Sequence, residues 1–335
     1  MPIGSHVIPR FYLEQFASEP ARKGKPGRVW VYQRGKKPQQ RATSVQGREN
    51  GYFGFVRPDG TLEESLETRL AKLEKACHDT LVCAKSELFC WSSAHRNNLA
   101  FYTSLLFQRA TQSRNVNIKH WDGIQKGFAE ALADDEFIDD LAVHYSAKFN
   151  KEIRREELRE MLRGTLKKLQ RPSEAKNTYL EKLLWQTEYI RDILLGKPWQ
   201  IWRAPSGAEF VTSDNPLITF VRLRGDVLHP GYGFRRPGVV AAFPLAPECC
   251  LAMGPHGPES VTFGHKHVMM INELTIRLSD KFVYSRTRSE EIKNLVDEQG
   301  GTAKYGDSAF LLGGAEMPSI KTFLRHHLGI SPEGA

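Results

Sequence analysis

The chain has 335 residues, a formal net charge of +8 and a sequence pI of about 9.2. Hydrophobic residues make up 40% of it and charged residues 26%, which is typical of a folded globular protein and excludes wholesale disorder. The excess of Lys and Arg favours an anionic partner such as nucleic acid, a nucleotide or a membrane surface. No apolar run approaches the ~18–20 residues of a membrane-spanning helix, and the first residues lack the features of a signal peptide. The five cysteines form no C-x-x-C pair, so we expect reduced, buried thiols in a cytoplasmic protein.

The N-terminal part predicts a short helix followed by a basic β element. Apolar residues at helical spacing in Phe11–Phe16 follow Pro9, a residue that often opens a helix. We predict a small basic β element over residues 21–58, because Arg28–Tyr32 alternates as a strand does. Basic side chains on such an element would contact an anionic ligand, or would only protect an edge strand from pairing with another chain. Those predicted as ligand contacts are Lys36, Lys37 and Arg41.

Helical periodicity dominates residues 60–197. Apolar residues recur three or four positions apart from Leu62 to Leu81. A second helix is predicted from Ser92 or Ser93, both suitable N-caps, to about Arg114. Basic residues outnumber acidic ones over residues 151–171, which makes that segment a second candidate surface for an anion.

After Pro198 the apolar period changes from 3.6 to 2, so residues 198–288 are predicted to be rich in β-strands. Residues 199–204 and 209–212 predict a hairpin, because a Pro-Ser-Gly turn separates them. Residues 222–238 are rich in Gly and Arg and predict a loop that could be a mobile lid. The fold class is therefore α+β, with the helical N-terminal and middle region packed on a mostly antiparallel β region. We expect residues 1–335 to form a single compact domain.

Two short polar motifs are the most specific features of the chain. The first is His6-Val-Ile-Pro9-Arg10-Phe11-Tyr12-Leu13-Glu-Gln-Phe16, and the second is Thr212-Ser213-Asp214-Asn215-Pro216. Together with the Gln108-Arg109 pair they resemble the bacterial domain-of-unknown-function family numbered 4238. The resemblance implies a bacterial intracellular protein without a settled activity, often in variable gene neighbourhoods. It supplies no catalytic residues.

The candidate catalytic residues come from these motifs. His6 could be a general base, a metal ligand or a phosphate-binding cation, or it could simply bond a nearby backbone group. Asp214 is predicted to follow a strand, and Pro216 would fix the backbone that orients it and Asn215. The Asp214 carboxylate could bind a metal, act as a base or pair with an arginine, or it could form an Asx turn with local N–H groups.

Arg109 continues an apolar helical stripe and is predicted to be partly buried, so it needs a carboxylate or an anionic ligand. The simplest hypothesis is that Arg109 pairs with Asp214 near His6, in a pocket between the helical and the β regions. A purely structural ion pair would explain Arg109 and Asp214 equally well. Further predicted substrate contacts, beside the basic residues of the β element, are Arg10, Tyr12 and Gln108.

Two classes of function follow from the motifs, and the sequence does not decide whether the chain is an enzyme. In the first, the protein is a nucleic-acid hydrolase that cleaves phosphodiesters with His6, Arg109 and Asp214, with a divalent metal as the cofactor it could use. In the second, it is a non-catalytic sensor module of a defence or mobile-element system that binds an anion or nucleic acid. The sequence shows no second acidic residue close to Asp214, as a two-metal site would need, and this weakens the first hypothesis.

Overall fold

The computed structural model describes residues 4–63, 65–86, 91–171, 173–223, 227–254 and 257–305. These residues combine helices with sheets that are largely antiparallel, which confirms the predicted α+β class. By their internal contacts they divide into two compact units. Unit 1 holds the described residues of 4–114 and 180–305, and unit 2 holds those of 115–179.

Helices occupy most of the region that the apolar periodicity assigned to them. In the described residues they are α1 (Arg10–Leu13), α2 (Ser65–Cys83), α3 (Ser93–Arg109), α4 (Thr111–Ala133), α5 (Asp135–Phe149), α6 (Arg155–Leu169), α7 (Glu174–Leu195), α8 (His265–Arg277) and α9 (Glu290–Gln299). Ser92 is an N-cap as predicted, because its hydroxyl oxygen accepts the His95 N–H at 3.1 Å. None of the described helices has the length and apolarity to cross a membrane.

The strands form two larger sheets and two small pairs in the described residues. They are β1 (Gly4–His6), β2 (Arg28–Tyr32), β3 (Gln39–Ala42), β4 (Arg48–Asn50), β5 (Phe55–Val56), β6 (Leu62–Glu63), β7 (Trp199–Arg203), β8 (Thr212–Ser213), β9 (Ile218–Arg222), β10 (Leu228–Pro230), β11 (Val240–Ala246), β12 (Cys249–Met253), β13 (Ser260–Thr262) and β14 (Val283–Ser285). One sheet has the order β10-β9-β11-β12-β7-β13, and the other has the antiparallel order β3-β2-β14-β8. β1 pairs with β4, and β5 pairs with β6.

Two expectations about the β region are wrong. β7 and β8 do not form the predicted hairpin, because β7 pairs with β12 and β13 while β8 pairs with β14 in the other sheet. The predicted loop over residues 222–238 includes strand β10, which pairs with β9. β7 and β8 pair with strands that are distant in the sequence, which a local turn signal does not reveal, whereas β10 pairs with the neighbouring β9 inside the segment that was predicted to be a loop.

Unit 2 has its own apolar core and compensates much of its own charge. Phe128, Phe137, Ile138, Leu141 and Leu158 are buried together between α4, α5 and α6. The arginines of α6 pair with acids of the same unit, in the pairs Arg155–Asp139, Arg159–Asp135 and Arg163–Glu160. The basic segment 151–171 is therefore less available to an external anion than its composition indicated.

The cysteines only partly follow the expectation of buried thiols. Cys77, Cys249 and Cys250 are buried, and burial raises the pKa of Cys77 and of Cys249 to about 12. Cys83 is exposed, so the expectation is wrong for this residue, which lies at the end of α2. Cys90 lies outside the described residues.

Gly47 lies directly before β4 and bonds to the residue that follows β1. Its φ is +60°, and its carbonyl accepts the Val7 N–H at 2.7 Å. A Cβ at this position would lie 2.9 Å from the Cβ of Ile8. Glycine is therefore required both by the left-handed backbone and by the contact with Ile8.

We expect Gly47→Ala to lower the free energy of unfolding by ~1–3 kcal/mol, measured by urea denaturation. Gly35→Ala is the matched control, because Gly35 also has a positive φ, of +71°, but a Cβ at that position would meet no atom within 4 Å. The control should show the backbone effect alone. A Gly47→Ala deficit no larger than that of the control would contradict the close packing against Ile8.

Candidate functional site

A polar cavity of about 470 Å³ lies in unit 1 beside the sheet that contains β14. One wall comes from the residues around β1 and β4, including Val7 and Ile8. A second wall comes from the connection between α8 and β14, residues 280–282. The polar side chains that line this polar pocket are Arg41, Gln46, Arg48, Glu49, Thr111, Asp214, Asp280, Lys281 and Tyr284.

Asp214 fixes the second wall through three backbone hydrogen bonds. Its Oδ1 accepts the Asp280 N–H at 2.8 Å, and its Oδ2 accepts the N–H groups of Lys281 and Phe282 at 2.7 and 2.8 Å. These donors lie 66 to 68 residues away, so the predicted Asx turn with local N–H groups is wrong. Burial raises the pKa of Asp214 to about 7, although the three N–H groups act in the opposite direction.

Asn215 bonds to the other end of the same connection between α8 and β14. Its side-chain amide donates to the Leu278 carbonyl at 3.1 Å, and the Gln112 amide donates to that carbonyl at the same distance. Leu278 directly follows α8. Asp214 and Asn215 together therefore set the path of the chain from the end of α8 into β14, which places Lys281 at the pocket.

Arg109 anchors the first wall. Its guanidinium is 1% exposed, pairs with Glu74 on α2, donates to the His6 carbonyl and lies 4.6 Å from the centre of the Phe53 ring. The predicted ion pair with Asp214 is therefore wrong, because Glu74 supplies the carboxylate. Through the His6 carbonyl, Arg109 holds β1 in place against β4.

The His6 ring is half-buried and points to a backbone group. Its Nε2 lies 3.5 Å from the Ser44 carbonyl oxygen, and burial lowers the pKa of His6 below its ordinary 6.5. The residues that reach the pocket from this strand are the next two, Val7 and Ile8. The structure thus brings His6 and Arg109 together through the backbone, and it places Asp214 on the pocket without bonding it to Arg109.

Tyr12 and Gln108, predicted as ligand contacts, are buried in the interior. The Tyr12 hydroxyl donates to the Pro244 carbonyl at 2.7 Å and accepts from the Thr212 hydroxyl at 2.8 Å, so it joins the two sequence motifs. The Gln108 side-chain oxygen accepts from the Ser113 hydroxyl at 2.7 Å. These residues stabilise the framework around the site.

The remaining predicted ligand contacts lie at the surface. Arg10 is exposed and pairs with Glu14 at 2.7 Å. Lys36 and Lys37 lie in the exposed turn between β2 and β3. Of the three predicted contacts Lys36, Lys37 and Arg41, Arg41 is the one that lines the polar pocket.

The polar pocket has basic groups that no acid of the described chain neutralises. Neither Arg48 nor Lys281 forms an ion pair within the described residues. The acidic Glu49, in contrast, is paired with Arg114 at 3.1 Å, and the Asp214 carboxylate is occupied by N–H groups. Asp280 is an exposed acid at the pocket. The Arg41 guanidinium donates to the Gln39 side-chain oxygen, so among the described residues Arg48 and Lys281 are the two pocket cations left available to a negatively charged ligand.

Tyr284 is the functional candidate that the sequence did not reveal. It is fully buried and lines the pocket, and its hydroxyl has no hydrogen-bond partner among the described residues. Tyr284 pairs with Val31 while Arg41 pairs with Val29, and since residues two apart share a face, Tyr284 and Arg41 lie on the same face of the sheet. Burial raises the pKa of Tyr284 well above 10, with the charge of Asp214 adding to the effect and Arg41 opposing it. The hydroxyl therefore keeps its proton and can donate a hydrogen bond to an acceptor in the pocket.

No group of three or more His, Cys, Asp or Glu side chains in the described part of the chain is arranged to hold a metal ion.

Comparison with the curated proteins and with the solved structures found no match. A family model described as "Protein of unknown function (DUF4238)" matches residues 5–289, a span that contains both motifs and the residues lining the polar pocket. The chain belongs to this family.

Proposed function

We propose that this chain recognises an anion of phosphate type in the polar pocket, as a non-catalytic binding module. The observation that supports this most directly is the buried Tyr284 hydroxyl, which lacks a partner among the described residues. A buried hydroxyl without a hydrogen bond costs ~1–3 kcal/mol, and an acceptor atom of a ligand would remove that cost. A bound ion is one established explanation for such a group in a native protein.

The neighbouring charges favour a phosphate over a neutral acceptor. Arg48 and Lys281 would form charge-assisted hydrogen bonds to phosphate oxygens, and these are stronger than bonds between neutral groups. The cavity of about 470 Å³ lies in the ~300–1,000 Å³ range of small-molecule pockets. A small phosphorylated molecule is therefore the ligand class that we favour, and binding of nucleic acid instead is an outcome of the test below.

The sequence motifs act in this proposal as positioning residues. Asp214 accepts the N–H of Lys281 and so fixes the backbone that carries one of the two cations. Arg109 holds the His6 carbonyl and so fixes β1, which pairs with the strand that carries the other, Arg48. The polar bonds of Asp214 and Arg109 therefore support two walls of one pocket.

Phosphodiester cleavage is the second proposal, and the pKa of Asp214 favours it. A carboxyl group with a pKa of about 7 beside a polar pocket has the property that a general acid or base requires. The three N–H bonds of Asp214 oppose this role, because they occupy both of its oxygens. The effect of Asp214→Asn on hydrolysis separates the two proposals.

We expect Tyr284→Phe to weaken binding of inorganic pyrophosphate by at least ~10-fold, because a hydrogen bond to a charged group contributes ~1.5–3 kcal/mol. The same variant should be at least as stable as the wild type, since it removes a buried hydroxyl that has no partner among the described residues. Isothermal titration calorimetry and urea denaturation measure the two effects. Lys281→Ala should also weaken binding and should flatten its dependence on salt.

Tyr102→Phe is the matched control, because Tyr102 is also fully buried with a hydroxyl that lacks a partner in the described chain, but it does not line the pocket. It should leave pyrophosphate affinity unchanged. Equal affinity in wild type and Tyr284→Phe would refute the proposed site. Tight binding of single-stranded DNA or RNA, with none of pyrophosphate, would replace the small phosphorylated ligand by a nucleic acid.

A further inference from the structure

A second cavity, of about 180 Å³, lies in unit 1 between α8 and one face of the sheet that contains β7 and β9. It shares no lining residue with the polar pocket. Its walls are mainly aromatic and aliphatic, with a few basic side chains. We call it the aromatic cavity and define it by Trp202, Phe220, Phe263, Ile271, Lys266 and His267.

The floor of the aromatic cavity is apolar and ordered by ring contacts. Trp202 and Phe220 are 6% and 4% exposed, and the Phe263 ring is stacked on Trp202 with centroids 4.8 Å apart and planes at 28°. The Trp202 indole N–H donates to the Gln200 side-chain oxygen at 3.1 Å. Because that polar edge is already bonded, the indole offers the cavity its apolar surface.

The rim of the cavity is basic. Lys266 and His267 are exposed and lie in the first turn of α8, and Arg222 is an exposed residue at the end of β9. Lys266 has no ion-pair partner within the described residues. The amino end of a helix adds a partial positive charge at the same place. A ligand that extends from the floor to the rim would therefore contact apolar rings at one end and positive charge at the other.

The volume limits the occupant to a single ring. An apolar cavity of ~150 Å³ in another protein holds one benzene molecule. A cavity of about 180 Å³ has room for one ring with a compact polar group. We propose that the aromatic cavity binds a monocyclic aromatic carboxylate, with its ring on Trp202 and Phe220 and its carboxylate at Lys266. This proposal does not depend on the phosphate site.

Three probes of similar size and different charge test the proposal: benzoate, benzyl alcohol and benzylamine. Binding is measured by titration with tryptophan fluorescence and by ligand-observed NMR. We expect benzoate to bind best, benzyl alcohol more weakly and protonated benzylamine least. Lys266→Ala should weaken benzoate by ~2- to 5-fold, the size expected for an exposed charge pair, and should leave benzyl alcohol unchanged.

Two further variants locate the bound ring. Leu228→Trp adds volume from β10, where Leu228 is half-buried at the cavity, and should abolish binding of benzoate and benzyl alcohol in a chain that keeps its circular dichroism spectrum. Lys23→Ala, at an exposed site outside the cavity lining, is the control and should change nothing. Benzoate affinity that is unchanged in folded Leu228→Trp, or equal affinity for all three probes, would overturn the proposal. Pyrophosphate binding should be the same in wild type and Leu228→Trp, so failure here and failure of the phosphate site are distinguishable.

Discussion

Glu74→Ala is expected to lower the free energy of unfolding by ~3–5 kcal/mol, because it leaves the buried guanidinium of Arg109 without its carboxylate. An arginine side chain cannot lose its proton in a protein, so the stranded charge cannot be neutralised. With Glu74 in place the guanidinium is only 1% exposed, so its charge depends on protein groups rather than on solvent. Its remaining bond to the His6 carbonyl is a bond to a neutral acceptor and does not balance the charge. Urea denaturation at neutral pH measures the loss.

Removing the arginine instead should be less harmful. Arg109→Met leaves behind the Glu74 carboxylate, which is 17% exposed and can be hydrated or protonated, and it keeps most of the side-chain volume beside Phe53. The double variant Glu74→Ala with Arg109→Met should recover part of the stability lost in Glu74→Ala, since it removes both charges. Asp79→Ala is the control on the same helix, because that carboxylate is 92% exposed.

The order of these stabilities is the informative result. If Glu74→Ala is within ~1 kcal/mol of the wild type, the buried ion pair does not have the energetic role that its burial implies. If Arg109→Met is the more damaging single change, packing around Phe53 matters more than charge. Either result would also weaken the argument that Arg109 fixes β1 and the pocket wall beside it.

The sequence predicted the elements of the fold better than their partners. A period-3.6 apolar pattern identified α2, and an alternating pattern identified β2. Which strands pair depends on the burial of sheet faces, and the residues that share a face lie far apart in the sequence. β8 therefore pairs with β14 rather than with the nearby β7, and no local signal indicated it.

The candidate site shows a similar limit. The sequence identified Asp214 and Arg109 as polar residues that need partners, and both have them. The predicted pairing between the two was wrong because a buried arginine can be satisfied by any carboxylate that the fold brings near, and nothing in the sequence distinguished Glu74 from the other glutamates of the chain. Tyr284 was not found, since no sequence pattern reveals that a buried hydroxyl lacks a partner.

The two motifs gain a common physical role from the structure. Tyr12 of the first motif and Thr212 of the second share a hydrogen bond at 2.8 Å, although 200 residues separate them. From this junction, Asp214 holds the connection that carries Lys281, while the His6 carbonyl is held by Arg109. Substitutions in the motifs should therefore change binding at the polar pocket through the position of its walls, even where the substituted side chain does not touch the ligand.

Asp214→Asn should lower the free energy of unfolding by ~1–3 kcal/mol at pH 5, because an amide has one oxygen and its NH2 group must face at least one of the three backbone N–H donors. Pyrophosphate binding should weaken in the same variant, since the backbone of Lys281 is no longer fixed.

The pH dependence of the stability difference has a defined sign. Burial raises the pKa of Asp214 in the folded chain from its ordinary 3.8 to about 7, so its contribution to stability is complete below the unfolded pKa and is lost as the pH rises through 7.

The asparagine side chain does not titrate, and the advantage of the wild type over Asp214→Asn should therefore be largest near pH ~4 and shrink towards pH ~8. Urea denaturation of both proteins across this range measures it. If the stability advantage of the wild type over Asp214→Asn grows above pH ~4, the three N–H bonds outweigh burial and keep the carboxylate ionised. Equal stability at every pH would refute the structural role of Asp214.

A phosphodiesterase assay on the same samples completes the test. If the wild type hydrolyses phosphodiesters and a still-folded Asp214→Asn does not, the result would favour the hydrolase over the binding module.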